Sequence, residues 1–160
     1  MRGEKMRGNV EEKEDKDIEL IKAALRQEIE AEKRYAKHLA YVNNKKVRKV
    51  LKALHKSEQK HKKILVEEIK SRIPKFNFKD DKLWEIEINL DMLNGIGDDI
   101  EIIKSILEIN IEKEKEALNQ YQGYGEEAKS DELKQLFIRF NIEEDEHRRM
   151  LEALKEEIAD

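Results

Sequence analysis

Shifted against itself by 86 residues, the chain aligns its two halves without a gap. Glu28 falls on Glu114, Ala31 on Ala117, Tyr35 on Tyr121, Glu58 on Glu144 and His61 on His147. Apolar positions keep the same register: Leu25 meets Ile111, Val47 meets Leu133, Leu51 meets Phe137, Leu54 meets Phe140 and Leu65 meets Leu151. The repeated unit is E-x-x-A-x-x-x-Y, a turn, then E-x-x-H, with the second Glu 30 residues after the first. A single E-x-x-H is common where glutamate is abundant. Two copies, each at the same distance from a matching Glu, are not a product of composition, so the chain is constrained to fold as two similar halves.

Each half reads as two helices. Helix 1 is predicted over about 17–42, and Asn43-Asn44 supply a turn and an N-cap. Helix 2 runs from about Lys45 to Ser71, ahead of Pro74. Helix 3 is predicted from about Asp98 to Ala128, and Ser130 or Asp131 caps helix 4. The seams step by fours and threes: Leu133, Phe137, Phe140, Glu144, His147, Leu151, Leu154 and Ile158 in helix 4, and Val47, Leu51, Leu54, Glu58, His61 and Leu65 in helix 2. That is bundle-core spacing. Glu28 lies as far before the first turn as Glu58 lies after it, and at ~1.5 Å of rise per residue both climb roughly 20 Å and reach one level. Glu114 and Glu144 repeat this about the second turn.

Residues 72–97 are not repeated and are too many for a tight hairpin. A crossover along the bundle uses that length and inverts the second hairpin against the first. The expected fold is therefore all-α: an antiparallel four-helix bundle with a long crossover between helices 2 and 3 and a pseudo-twofold axis through the ligand level. Trp84, Ile86, Ile88, Leu90 and Leu93 are expected to pack over it. Residues 1–16 carry basic groups without a following apolar run, so they are expected to form a disordered lead-in and not a signal peptide. The bundle domain is 17–160.

Composition agrees and excludes several classes. Charged residues make up 44% of the chain and hydrophobic ones 38%, the balance of long amphipathic helices. A net charge of −4 offers no basic face for nucleic acid. Lys45, Lys46, Arg48 and Lys49 are interleaved with Val47 and Val50 and read as a solvated helix start. No apolar run approaches the ~20 residues of a membrane span, and the cytoplasm is the default location. The absence of cysteine removes disulfides, thiolate metal sites and iron–sulfur clusters.

Glu28, Glu58, His61, Glu114, Glu144 and His147 stand on seams where leucine is expected. Ionised carboxylates leave water only when paired or metal-bound, and no Lys or Arg occupies the seam beside them. Two divalent ions would neutralise the four glutamates. Carboxylate oxygen and imidazole nitrogen favour iron, or manganese, over structural zinc. One Glu from each of two helices plus Glu-x-x-His from each of the other two is the di-iron and di-manganese carboxylate pattern. Glu58 and Glu144 are expected to bridge, Glu28 and Glu114 to close the ends, and His61 and His147 to bind one metal each. Tyr35 and Tyr121, seven residues after their Glu, can each donate a hydrogen bond to a ligand carboxylate or serve simply as core aromatics. Glu30, Glu32, Glu112, Glu116, Glu143 and Glu146 are expected to be exposed helix charges, although Glu32 also falls on the helix 1 seam. His38 and His55, which do not repeat, belong by the same reasoning at the surface or boundary. Gly123 and Gly125 are expected either to fray helix 3 or to open a path to the metals.

At these residues the chain resembles the ferritin-like superfamily, and within it the rubrerythrin-like group, over about residues 17–158. The resemblance implies an oxo- or hydroxo-bridged centre of two iron ions per chain, reaction with hydrogen peroxide or oxygen, and a homodimer. Rubrerythrins carry an extra carboxylate where this chain has Ala117. They also commonly carry a four-cysteine rubredoxin module, absent here, so electrons are expected from a separate donor such as a rubredoxin. The ligand set equally resembles bacterioferritin, but Gln59 follows Glu58 where that family has its haem-binding Met, so no haem is expected. The 13 residues after His147 are too few for a fifth cage helix. The leading expectation is a di-iron oxidoreductase that reduces peroxide. A ferroxidase or iron-handling protein, and a non-catalytic metal-stabilised bundle, are the alternatives.

Overall fold

The chain is described here from a computed structural model over residues 2–79 and 99–159, with side chains from residue 16 onward. Four helices follow one another: α1 (Arg2–Tyr41), α2 (Lys45–Arg72), α3 (Ile100–Glu127) and α4 (Asp131–Ala159), and there is no strand among the described residues. The crossover residues from 80 to 98, with Trp84, Ile86, Ile88, Leu90 and Leu93, lie outside the described residues.

Local chemistry sets the boundaries. Asn44 Oδ1 accepts from the backbone N–H groups of Lys46 and Val47 at 3.0 and 3.1 Å, capping α2. Pro74 follows two residues after its end. Asp99, one residue later than expected, caps α3 by accepting from Glu101 N at 2.8 Å. Ser130 Oγ accepts from Leu133 N at 3.3 Å and caps α4. Helix α1 reaches back to Arg2 instead of starting near Asp17. The stretch before Asp17 is rich in Glu, Lys, Arg and Met and has no proline, a composition that favours helix without any apolar stripe. Helix α3 runs unbroken through Gly123 and Gly125. A Cβ on Gly125 would meet only ordinary contacts, 3.7 Å from Phe137 Cβ and 3.9 Å from Ile138 Cγ1.

Packing is heaviest between α1 and α2 and between α3 and α4, with lighter α1–α3 and α2–α4 contacts that close a bundle. One end is clasped by Asp17, which accepts from the backbone N–H of Lys129 and Ser130 at 2.7 and 3.0 Å. Arg72 Nη2 donates to Ser130 Oγ there at 3.2 Å. At the α1–α2 turn, Arg48 donates to the carbonyls of Leu39 and Val42 at 2.5 and 2.8 Å, satisfying the open end of α1.

The core falls into two apolar clusters. One gathers Ile21, Leu25, Leu65, Ile69, Phe137 and Phe140; the other gathers Val42, Val47, Leu51, Ile103, Leu107 and Leu151. Between them, on the same seams, lie the glutamates and histidines of the repeated motif. No helix among the described residues is long and apolar enough to cross a membrane.

Candidate metal centre

The six motif residues arrive at one level of the bundle, Glu28 from α1, Glu58 and His61 from α2, Glu114 from α3, Glu144 and His147 from α4. Each carboxylate is 1% exposed, and His61 and His147 are 2% and 6% exposed, so water cannot stabilise their charge. Each His follows its Glu by three residues on one helix face, which is why the pair enters the core together.

The donor atoms form two overlapping quartets. Glu28, Glu58, Glu144 and His61 make one, and Glu58, Glu114, Glu144 and His147 make the other, each with its ligand atoms within 4.8 Å of one another. Glu58 and Glu144 belong to both. Both rings present Nδ1. His61 Nδ1 lies 3.4 Å from Glu28 and 3.3 Å from Glu144. His147 Nδ1 lies 3.0 Å from Glu58, 3.8 Å from Glu114 and 3.4 Å from Glu144. These separations are close enough for charge interaction, yet Glu28 Oε2, both Glu58 oxygens, Glu114 Oε2, Glu144 Oε1 and both Nδ1 atoms lack a directed hydrogen bond. Buried polar atoms in native proteins are almost always satisfied. A set of orphans converging on shared points is the arrangement that metal ligands adopt, and the donor set can hold a metal ion.

Electrostatics agree. Burial first, then the charge of Glu58, pushes the Glu28 carboxyl well up. Burial and the charges of Glu58, Glu114 and Glu28 do the same to Glu144. Burial would raise Glu58 too, but its contacts with Glu28, His147 and Glu144 outweigh it and hold the group down at about 2. Burial opposes charge on His61, yet Glu144, Glu28 and Glu58 hold its pKa up at about 11. His147 is raised in the same way, against burial, by Glu114, Glu144 and Glu58. Protons and metal ions therefore compete for one negative pocket.

The tyrosines cross the bundle. Tyr35 Oη donates to Glu114 Oε1 at 2.5 Å, and Tyr121 Oη donates to Glu28 Oε1. Each fixes the glutamate of the opposite half, a reciprocity that follows from the repeat. Burial first, then the adjacent carboxylate, pushes both phenols well above their ordinary pKa, so both remain donors.

Four residues sit differently from the sequence expectation, the first being Glu30, which is half-buried. Glu143 is half-buried, and its Oε2 lies 2.5 Å from His61 Nε2. The signal was its place beside Glu144, from which it reaches across to α2. Glu32 is also half-buried and pairs with Lys62 and Gln59. His38 is fully buried: Asn110 Nδ2 donates to His38 Nδ1 at 2.9 Å and to the Ile106 carbonyl at 2.9 Å, while Asn110 Oδ1 accepts from Arg34 Nε at 2.8 Å. Burial and the Arg34 charge hold the His38 pKa down at about 4, so the ring is neutral. His55 is half-buried, as a boundary residue should be.

A cavity of about 350 Å³ opens between α1 and α3. Ala31, Ala117, Gln27, Arg34 and Tyr124 line it, and it reaches Glu58 and Glu144. The paired alanines of the repeat leave this way in, where larger side chains would close the level of the carboxylates. No protein-family model, curated protein or solved structure matches the chain.

Proposed function

We propose that the chain is a ferritin-like, antiparallel four-helix protein that holds two iron ions (or manganese) and reduces hydrogen peroxide with electrons from an external donor such as a rubredoxin. The observation that carries this reading is the pair of buried Glu₃His quartets sharing Glu58 and Glu144. In it Glu28, Glu58, Glu144 and His61 would hold one ion, and Glu58, Glu114, Glu144 and His147 would hold the other. The bound metals would supply electrons and Lewis acidity to an O–O bond.

The rest is the work of the protein. Tyr35 and Tyr121 hold Glu114 and Glu28 in fixed orientation, which keeps the ligand set organised as charge changes. The apolar clusters above and below keep bulk water from the carboxylates. The cavity beside Ala31 and Ala117 is large enough to admit a small oxidant and would bring it to Glu58 and Glu144. Reduction of one peroxide to two waters consumes two electrons and two protons. The electrons come from the donor, since the chain has no cysteine and so no cysteine-ligated iron–sulfur cluster of its own.

Stopped-flow oxidation of the anaerobically reduced, iron-loaded protein tests the reading. Peroxide should oxidise it much faster than air-level oxygen, with turnover stopping near two irons per chain. Faster reaction with oxygen, or oxidation of many irons per chain, would overturn the assignment in favour of ferroxidase activity.

A further inference from the structure

The two imidazoles meet the carboxylates alike but are held differently from behind. His61 Nε2 lies 2.5 Å from Glu143 Oε2, and the other Glu143 oxygen lies 3.4 Å from Arg139 Nε. At the positions 86 residues earlier, the first half carries Ser57 in place of Glu143 and Ala53 in place of Arg139. The carboxylate contacts of His147 run through Nδ1 alone, and its side chain is 8% exposed against 2% for His61. Around Ser57 the surface depression is lined by Lys56, Lys60 and Lys63.

We propose that Glu143 makes the two metal positions unequal: a divalent ion fills the Glu28–Glu58–Glu144–His61 position first and more tightly, and the Glu58–Glu114–Glu144–His147 position second. This rests on the two-metal reading of the site. A carboxylate accepting from Nε2–H fixes the imidazole tautomer, orients the ring and makes Nδ1 a stronger donor, and losing such a partner typically costs about 10–100-fold in metal affinity. Glu143 also adds a negative charge behind the first position. Arg139, itself largely exposed, holds the carboxylate in place and is screened by solvent. Ser57 is neutral and supplies no carboxylate behind His147, and the exposed lysines around it are screened by solvent as Arg139 is. All of these differences favour the His61 position. Glu143 is thus a positioning residue, acting on the metal through His61.

Anaerobic titration of the chelator-stripped protein with Co²⁺, followed by visible absorption and calorimetry, reads this directly. Wild type should bind two ions in two steps separated by about 10–100-fold. Glu143→Gln should weaken the tight step and merge the two, Glu143→Asp should restore part of the gap, and Ser57→Glu should strengthen the weak step alone. Melting of each variant in chelator checks that it folds, and the gain expected of Ser57→Glu does not depend on the stability of Glu143→Gln. Two ions of equal affinity, a gap unchanged in Glu143→Gln, or equal weakening of both steps would overturn the inequality and leave the two-metal reading intact. Failure of wild type to take up two ions would overturn both.

Discussion

Replacing Glu144 with leucine should make the metal-free protein more stable and the metal-loaded protein less stable than wild type. Glu144 is 1% exposed, its Oε1 has no hydrogen-bond partner, and it shares its space with three other carboxylates. Burial and the neighbouring carboxylates hold the Glu144 carboxyl well up, so the cluster resists its ionisation, and Glu144→Leu removes that group. A buried carboxyl oxygen without a hydrogen-bond partner costs about 1–3 kcal/mol, a cost that leucine removes. A gain of about 2 kcal/mol raises the melting temperature by roughly 4–8 °C for a chain of this size. The pH dependence has a definite sign. The Glu144 carboxyl is raised in the folded state, so ionising it destabilises the fold progressively as pH climbs above its unfolded value, and the advantage of leucine should grow with it. With a divalent ion at a hundred times its dissociation constant, wild type gains about 2.7 kcal/mol per site, a gain the variant forfeits. Calorimetric melts in chelator and in excess Co²⁺ should therefore rank the two proteins in opposite orders. A variant that melts lower in chelator, or that keeps the full metal-induced shift, would refute the claim that these carboxylates are electrostatic liabilities offset by metal.

Other outcomes follow from the same geometry. At neutral pH His61, with its pKa near 11, and His147, also raised, both carry the proton that a metal must displace. Loading two ions should release at least two protons, and affinity should climb as pH rises; indicator dye in weak buffer reads the release, and a pH-independent affinity would contradict it. Tyr35→Phe and Tyr121→Phe should each cost about 1–3 kcal/mol in metal-free stability through a stranded buried carboxylate, and by about equal amounts because the two bonds are related by the repeat. Denaturant melts measure both. Asn110→Leu should cost about 2–4 kcal/mol, since it strands Arg34 and His38 together, while leaving Co²⁺ stoichiometry unchanged.

How much was legible in the chain depended on whether a residue repeated. The seams of α2 and α4 were readable residue by residue because apolar spacing and burial are the same statement. The six ligand candidates were readable because the motif occurs twice, and symmetry brings duplicated residues to one level. Tyr35 and Tyr121 could be placed near the carboxylates, but that each serves the opposite half is a property of how the hairpins pack. Glu143 and His38 were misplaced for one reason: neither repeats, and a lone polar residue on a helix is assigned to solvent unless its partner is known. Their partners, His61 and Asn110, lie 82 and 72 residues away. The start of α1 was missed because its first residues carry helix propensity without amphipathic period.

Elemental analysis of protein purified without added metal, paired with anaerobic iron titration of the stripped chain, tests the central claim most directly. Two metal ions per chain are predicted, with iron or manganese predominating and binding abolished by Glu58→Ala, which removes a ligand common to both quartets. A chain that comes out metal-free and takes up no iron, or a Glu58→Ala variant that still binds two, would contradict it.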